Sequence, residues 1–217
     1  MKIEDGRLVG GDVDHVESPN RGGRFAEGAP DTVVIHYTAG RSRQTAVDTL
    51  TDPARKVSSH LVVGSDGGIS QLLSFDVIGW HAGESVWEGR TALNNYSIGI
   101  EVDNAGQLEE RDGGLFSWFG QEYPEEEVVR GVHRNQTEST CWHRYPAVQL
   151  QVVDEVCELL VAAYGITHIL GHEEISPERK TDPGPAFPLG ELRRRLLSPP
   201  LAALARAAEP GAGDQPA

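Results

Sequence analysis

His172 and Asp182 stand ten positions apart in the segment 171–187, GHEEISPERKTDPGPAF, with Lys180 between them. Imidazole nitrogen and carboxylate oxygen are donors that a catalytic zinc takes while keeping one position open for water. Pro177, Pro183 and Pro185 predict a stiff loop here rather than a helix. Pro183 also biases Asp182 towards an extended backbone, which limits where its carboxylate can point. The loop reads in two ways, as a pair of ligands to one metal or as a surface turn whose polar groups are solvated. The run His172-Glu173-Glu174-Ile175 opens like a helical HExxH motif, but Ser176 occupies the fifth place, so that zinc-protease motif is absent.

Other groups with chemistry sit on predicted strands. Residues 32–35, Thr-Val-Val-Ile, form a β-branched run suited to a strand buried on both faces, and it delivers His36 at its C-terminal end. Residues 97–102 alternate, placing Ile98, Ile100 and Val102 on one side and Ser97, Gly99 and Glu101 on the other. The small neighbours leave room beside the Glu101 carboxylate; the alternative is a half-exposed strand with Glu101 facing water. His60 lies within a predicted strand, where a packing role is the commoner one. In Gly79-Trp80-His81-Ala82-Gly83, two rings between small residues form either a pocket wall that contacts substrate or a tight turn. His36, His172 and Asp182 together would supply the three ligands of an open zinc site. A fourth ligand, from His60 or His81, would close it into a structural one.

The elements that must position these groups follow from local signals. Ser42 is an N-cap for a helix to about Leu50, stopped by Asp52-Pro53, and residues 58–63 and 69–75 flank a glycine-dependent turn at 64–68 as a hairpin. Residues 146–164 carry Val152, Val153, Val156, Cys157, Leu160 and Ala163 at helical spacing, with Gly165 as the C-terminal cap. A short helix is expected at 189–197, with Arg193-Arg194-Arg195 as its solvated end. Residues 1–30 read as an extended lead-in, 198–217 as a disordered tail and 104–145 as an insertion with weak patterning. In that insertion Pro124-Glu125-Glu126-Glu127 looks like a helix start. It either walls a substrate groove or is a surface excursion.

Composition bounds the partners. The chain has 217 residues, enough for one domain with a substantial core, and a formal net charge of −14, which opposes binding to nucleic acid or an anionic membrane. It fits a small soluble substrate better than a polyanionic wall, and no protein partner is implied. No apolar run reaches membrane-spanning length and the first residues lack a secretory core, so the expected compartment is the cytoplasm. Cys141 and Cys157 are expected as reduced thiols.

The stretches VVIHYTAG at 33–40, VSSHLVVGSDGGISQ at 57–71, GWHAG at 79–83, NNYSIGIE at 94–101 and GHEEISPERKTDPGPAF at 171–187 occur in one order. Jointly they resemble the zinc N-acetylmuramoyl-L-alanine amidases of the AmpD type, within the superfamily of phage lysozyme-type amidases and peptidoglycan recognition proteins. The resemblance implies a single α/β domain over residues 31–197, a central mixed sheet flanked by helices. It implies zinc held by His36, His172 and Asp182, with Glu101 as catalytic carboxylate and Lys180 as its cationic partner. Trp80, His81 and Asn95 are candidate substrate contacts. Ser59 departs from the phage pattern, which has tyrosine there, and the 64–65 turn and Ala92 lack basic residues for gripping stem-peptide carboxylates. The implied reaction is cleavage between the lactyl group of N-acetylmuramic acid and L-alanine, in soluble anhydromuropeptides during wall recycling. The alternatives are a phage endolysin or exported amidase acting on intact peptidoglycan, and a non-catalytic peptidoglycan-binding module.

Overall fold

In the computed structural model, which describes residues 1–198, the run Thr32–Tyr37 is the centre of the molecule. It pairs in parallel with His168–Gly171 on one side and Ser97–Val102 on the other, and it is buried from Thr32 through His36. A strand covered on both faces needs apolar residues at successive positions, which explains the unbroken Val33-Val34-Ile35 run. The six-stranded sheet runs His168–Gly171, Thr32–Tyr37, Ser97–Val102, Leu61–Val63, Ile69–Gln71, Val13–His15. Only the Leu61–Val63 and Ile69–Gln71 pair is antiparallel, so the sheet is mixed.

Alternation along these strands divides the core in two. Val33, Ile35, Ile98 and Ile100 share one cluster with Val153, Val156, Cys157 and Leu160 of the helix Ala147–Tyr164. That helix ends at Gly165, whose left-handed φ of 65° returns its N–H to the Val161 carbonyl. Val34 belongs to a separate cluster with Ala82, Leu93, Leu170 and Ile175, and His36, two residues on, shares its side of the strand. The helix Arg43–Thr51 begins at the expected cap, where Ser42 accepts the Thr45 N–H, and seats Val47 and Leu50 on Val62 and Leu72.

Residues 1–30 are extended, and they are woven into the sheet. Lys2–Glu4 and Arg7–Val9 form a hairpin around Asp5-Gly6, both at positive φ, and Val13–His15 adds the edge strand beside Ile69–Gln71. Leu8 is fully buried in the main core. Gln71 accepts the Leu8 N–H at 2.8 Å and donates to the carbonyls of Gly6 and Leu73. Ser18 and Asn20 donate to the Leu50, Asp52 and Val57 carbonyls, tying this segment to the end of the first helix.

The weakly patterned segment 104–145 holds a five-stranded antiparallel sheet, ordered Glu122–Tyr123, Gly114–Phe116, Gln107–Arg111, Ser139–His143, Val128–Val132. It has its own small core of Ala105, Leu108, Leu115, Tyr123 and Val128. Three local expectations change. The acidic helix start at 124–127 is a single 3-10 turn, Glu125–Glu127. One helical turn, His172–Ile175, precedes Pro177 in the segment expected to be free of helix. The arginine triplet in the helix Leu189–Leu197 is not uniformly solvated: Arg193 pairs with the Glu174 carboxylate and Arg195 with Asp154. The tail expected from 198 onward lies, after Ser198, outside the described residues. No helix among the described residues is long and apolar enough to cross a membrane.

Because Leu8 is part of the main core, Leu8→Ala is expected to lower the unfolding free energy by about 2–5 kcal/mol in a single cooperative transition. Denaturant titration checks this; a variant that unfolds like the parent would mean the first strands do not belong to the cooperative unit.

Candidate metal centre

Strand register assembles the site. His36 lies opposite Glu101, and Ile35 opposite Gly171, so His172 follows in the position beside His36. Three side chains therefore stand in a row at the C-terminal edge of three adjacent parallel strands, on the face away from the long helix. Asp182 returns to this row from the proline-rich loop. His36 Nδ1 and His172 Nδ1 are 2.8 Å apart, and Asp182 Oδ2 lies 3.0 Å from each.

The outer nitrogens decide what these atoms carry. His172 Nε2 is 3.1 Å from the Ala82 carbonyl, which only accepts, so this nitrogen bears the proton. His81 Nε2 likewise donates to the Ser97 carbonyl at 3.2 Å, which leaves His81 Nδ1 as an acceptor facing His36 Nε2 at 3.0 Å. His36 then carries its proton on Nε2. Burial, reinforced by the neighbouring His172, lowers the His36 pKa to about 4, and burial, reinforced by the neighbouring His36, takes His81 well below its ordinary value, so both rings are neutral near pH 7. Two nitrogen lone pairs and a carboxylate oxygen thus converge with no proton between them. A cation relieves that arrangement, and the N₂O donor set with an open side fits zinc. His36, His172 and Asp182 are the His/Cys/Asp/Glu group of this kind among the described residues.

His81 orients the His36 ring, and its place depends on Gly99. A Cβ at Gly99 would lie 2.5 Å from the His81 ring, so the room foreseen beside Glu101 is filled by this imidazole. Asn94 Oδ1 accepts the backbone N–H groups of His81 and Ala82 at 3.0 and 2.7 Å. His60 supplies no ligand: its Nδ1 accepts the Gly99 N–H and its Nε2 donates to the Val77 carbonyl.

The ligand loop is braced from behind by the inserted sheet. The Glu173 N–H donates to the Asp182 carbonyl at 2.8 Å. Its carboxylate accepts from Gly184 N at 3.1 Å and from His133 Nε2 at 2.7 Å, and His133 Nδ1 accepts the Asn135 N–H. Trp142 packs on Gly184, where a Cβ would come within 2.7 Å of the indole. Tyr145 donates its hydroxyl to the Pro183 carbonyl at 2.8 Å.

On the open side lies a cleft of about 700 Å³. Glu101 and Lys180 line it, as do Trp80 and His81. Glu101 Oε2 is buried without a hydrogen-bond partner. Burial, and then the negative charge of Asp182, push the Glu101 pKa up to about 8 in the metal-free protein, with Lys180 opposing. Asn95 is exposed and does not line the cleft; its neighbour Asn94 is the residue that supports the site. Sequence reasoning did not single out Tyr37, Arg41, Trp118 or Phe119, all of which line it. Ser59 is fully buried with its hydroxyl unpartnered, while the Tyr37 hydroxyl is 2.7 Å from Thr181 Oγ1.

Fold and site together fit a hydrolase with its cleft at the strand ends of a mixed sheet. The family of N-acetylmuramoyl-L-alanine amidases (Amidase_2) matches residues 26–185, and the chain belongs to it. The 1,6-anhydro-N-acetylmuramyl-L-alanine amidase AmpD of Enterobacter cloacae is 30% identical over 204 residues, covering 86% of this chain and 90% of that protein. The N-acetylmuramoyl-L-alanine amidase AmiD of Escherichia coli K12 is 33% identical over 75% of this chain, which spans only 52% of AmiD. A crystal structure of AmpD superposes with a TM-score of 0.63 at 27% identity, over 91% of this chain and all of that one. The E. coli AmiD complex with anhydro-N-acetylmuramic acid-L-Ala-D-gamma-Glu-L-Lys superposes at 0.58 and 31% identity, over 79% of this chain and 60% of that one.

Two outcomes are expected. His133→Ala should weaken zinc binding about 10–100-fold in equilibrium dialysis, since the loop carrying two ligands loses its brace; unchanged affinity would show that the inserted sheet does not hold the loop. Glu101 has a folded pKa raised above its unfolded value, so its contribution is full below about pH 4.5 and is lost as pH rises through about 8. The lowered histidines act oppositely, their contribution being lost as pH falls from 6.5 towards 4. Chelated protein should therefore lose stability between pH 6.5 and 8, and Glu101→Gln should flatten that decline in thermal melts; an equal slope in the variant would exclude Glu101 as its source.

Proposed function

We propose that this amidase hydrolyses the bond between the lactyl group of N-acetylmuramic acid and L-alanine in soluble muropeptides, using zinc held by His36, His172 and Asp182. The observation that carries the reading is the meeting of three proton-free donor atoms beside an unpartnered Glu101 carboxylate in an open cleft. When bound, zinc supplies Lewis-acid polarisation of the scissile carbonyl and acidifies water at the open position. Glu101 takes a proton from the attacking water and delivers it to the leaving amine. Its high proton affinity in the metal-free site suits a group that must hold a proton between those two transfers. Lys180, half-buried on the same cleft wall, faces the negative charge that develops on the carbonyl oxygen.

A small soluble substrate is supported by the net charge of −14, which opposes adsorption to a polyanionic wall, and by the relatives named for anhydromuramyl substrates. That substrate belongs to wall recycling in the cytoplasm. A binding module without catalysis has no use for a base such as Glu101 placed beside an open metal position.

Soluble anhydromuropeptides and intact sacculi offered side by side, with and without chelator and with products identified by mass, test this reading. Peptide release from the soluble fragments alone, abolished by chelator and restored by zinc, is the expected result; efficient sacculus cleavage would favour a wall-degrading amidase. Glu101→Gln should lower kcat by about 10²–10⁴ with zinc content unchanged, and undiminished turnover would remove Glu101 from the proton-transfer role.

A further inference from the structure

Trp118 is the most exposed of the large hydrophobic side chains among the described residues, at 70%, yet it is fixed in place. Its indole N–H donates to the Ala39 carbonyl at 2.8 Å, and its ring meets Phe119 edge to face at 5.6 Å between centroids. Phe119 is held in turn by Arg41, which donates to its carbonyl at 2.8 Å and lays its guanidinium 5.0 Å from the ring centre. The Ser117 N–H closes the turn onto the Gln121 carbonyl at 2.9 Å. Ala39 itself sits at φ 48°, a left-handed conformation that a non-glycine residue adopts only when its surroundings hold it there.

An indole clamped this way has its one donor occupied and presents an apolar face to solvent. It lines the cleft that holds the metal centre. Ala39 is three residues beyond His36, so its backbone lies within about 11 Å of the ligand's. Of the parts of a muropeptide, the stem peptide carries carboxylates and an amine, whereas a pyranose ring offers a face of C–H groups.

We propose that Trp118 is a stacking platform for the sugar ring of the substrate, placed by the inserted sheet, with the remaining Arg41 N–H groups facing ring substituents. The inference rests on the amidase reading above and adds a specificity-determining residue to it. Aromatic stacking contributes to ground state and transition state alike, so its loss acts on KM and leaves kcat in place.

The test compares 1,6-anhydro-N-acetylmuramyl-L-Ala-D-γ-Glu-L-Lys with D-lactyl-L-Ala-D-γ-Glu-L-Lys, which has the same scissile bond and no sugar. Trp118→Ala should raise KM roughly tenfold on the first and leave the second unchanged, while Trp118→Phe, which keeps a ring and loses the N–H, should stay within about threefold of the parent. An equal effect of Trp118→Ala on both substrates would place the stem peptide on this face and overturn the proposal. A Trp118→Phe variant as impaired as Trp118→Ala would assign the role to anchoring Ala39 and overturn it too. Failure of the parent protein to cleave either compound would refute the amidase reading alone. The platform is then judged by titrating N-acetylmuramic acid into parent and Trp118→Ala protein by NMR: shifts lost in the variant support it, and equal shifts in both refute it.

Discussion

The site depends on where two protons are not. His36 and His172 each commit the outer nitrogen to a partner that must accept, one through His81 to the Ser97 carbonyl and the other directly to the Ala82 carbonyl. That fixes both tautomers and turns two lone pairs onto one point, where the Asp182 carboxylate also arrives. Such a convergence of acceptors is unfavourable in the metal-free protein. It persists because the surrounding hydrogen bonds overdetermine it, the general condition under which strained or unsatisfied groups survive at functional sites. Outer partners of this kind also raise ligand basicity and fix ring orientation.

The sheet makes the convergence possible through its side-chain period of two. Along Thr32–Tyr37 and Ser97–Val102 the same alternation that sends Val33, Ile35, Ile98 and Ile100 under the long helix sends Val34, His36, Gly99 and Glu101 to the other face. A slip of one residue in either strand would bury the imidazole or the carboxylate in apolar core, so burial of the helix and placement of the site are one constraint. Gly99 lies between its two demands. It must lack a side chain so that His81 can stand behind His36, and its N–H supports the buried His60.

How much of this the sequence discloses varies with the kind of signal. The central strand, both principal helices with their caps, and the 64–68 turn follow from local rules and appear within a residue or two of the expected ends. His36, His172 and Asp182, read as candidate ligands from a strand end and a proline-rich loop, are the residues the fold gathers. Roles that arise only from contacts distant in sequence were not legible. Nothing near His81 announces that its partner is the far nitrogen of His36, and Asn95 and Asn94 look alike until one of them is seen to accept two N–H groups. The inserted sheet was obscured by strands of two to five residues rich in Glu and Arg. One signal was present: Asp112-Gly113 joins Gln107–Arg111 to Gly114–Phe116 with both residues at positive φ, the two-residue turn that such dipeptides favour. Asp5-Gly6 marks the first hairpin in the same way.

The insertion ties the two sides of the active site together. Its His133 and Trp142 support the Glu173–Gly184 segment from behind, while its Trp118 and Phe119 stand at the cleft in front. The His133–Glu173 contact is a buried pair, and such pairs add little net stability because desolvation offsets much of the attraction. Its consequence is therefore positional. With Glu173 held at both its carboxylate and its N–H, the backbone between His172 and Asp182 cannot shift without breaking bonds to an element outside the main sheet. A displacement of the inserted sheet would accordingly move the cleft wall and the backbone of His172 and Asp182 at once, so the element that shapes the cleft is also the one that keeps these two side chains in register with it.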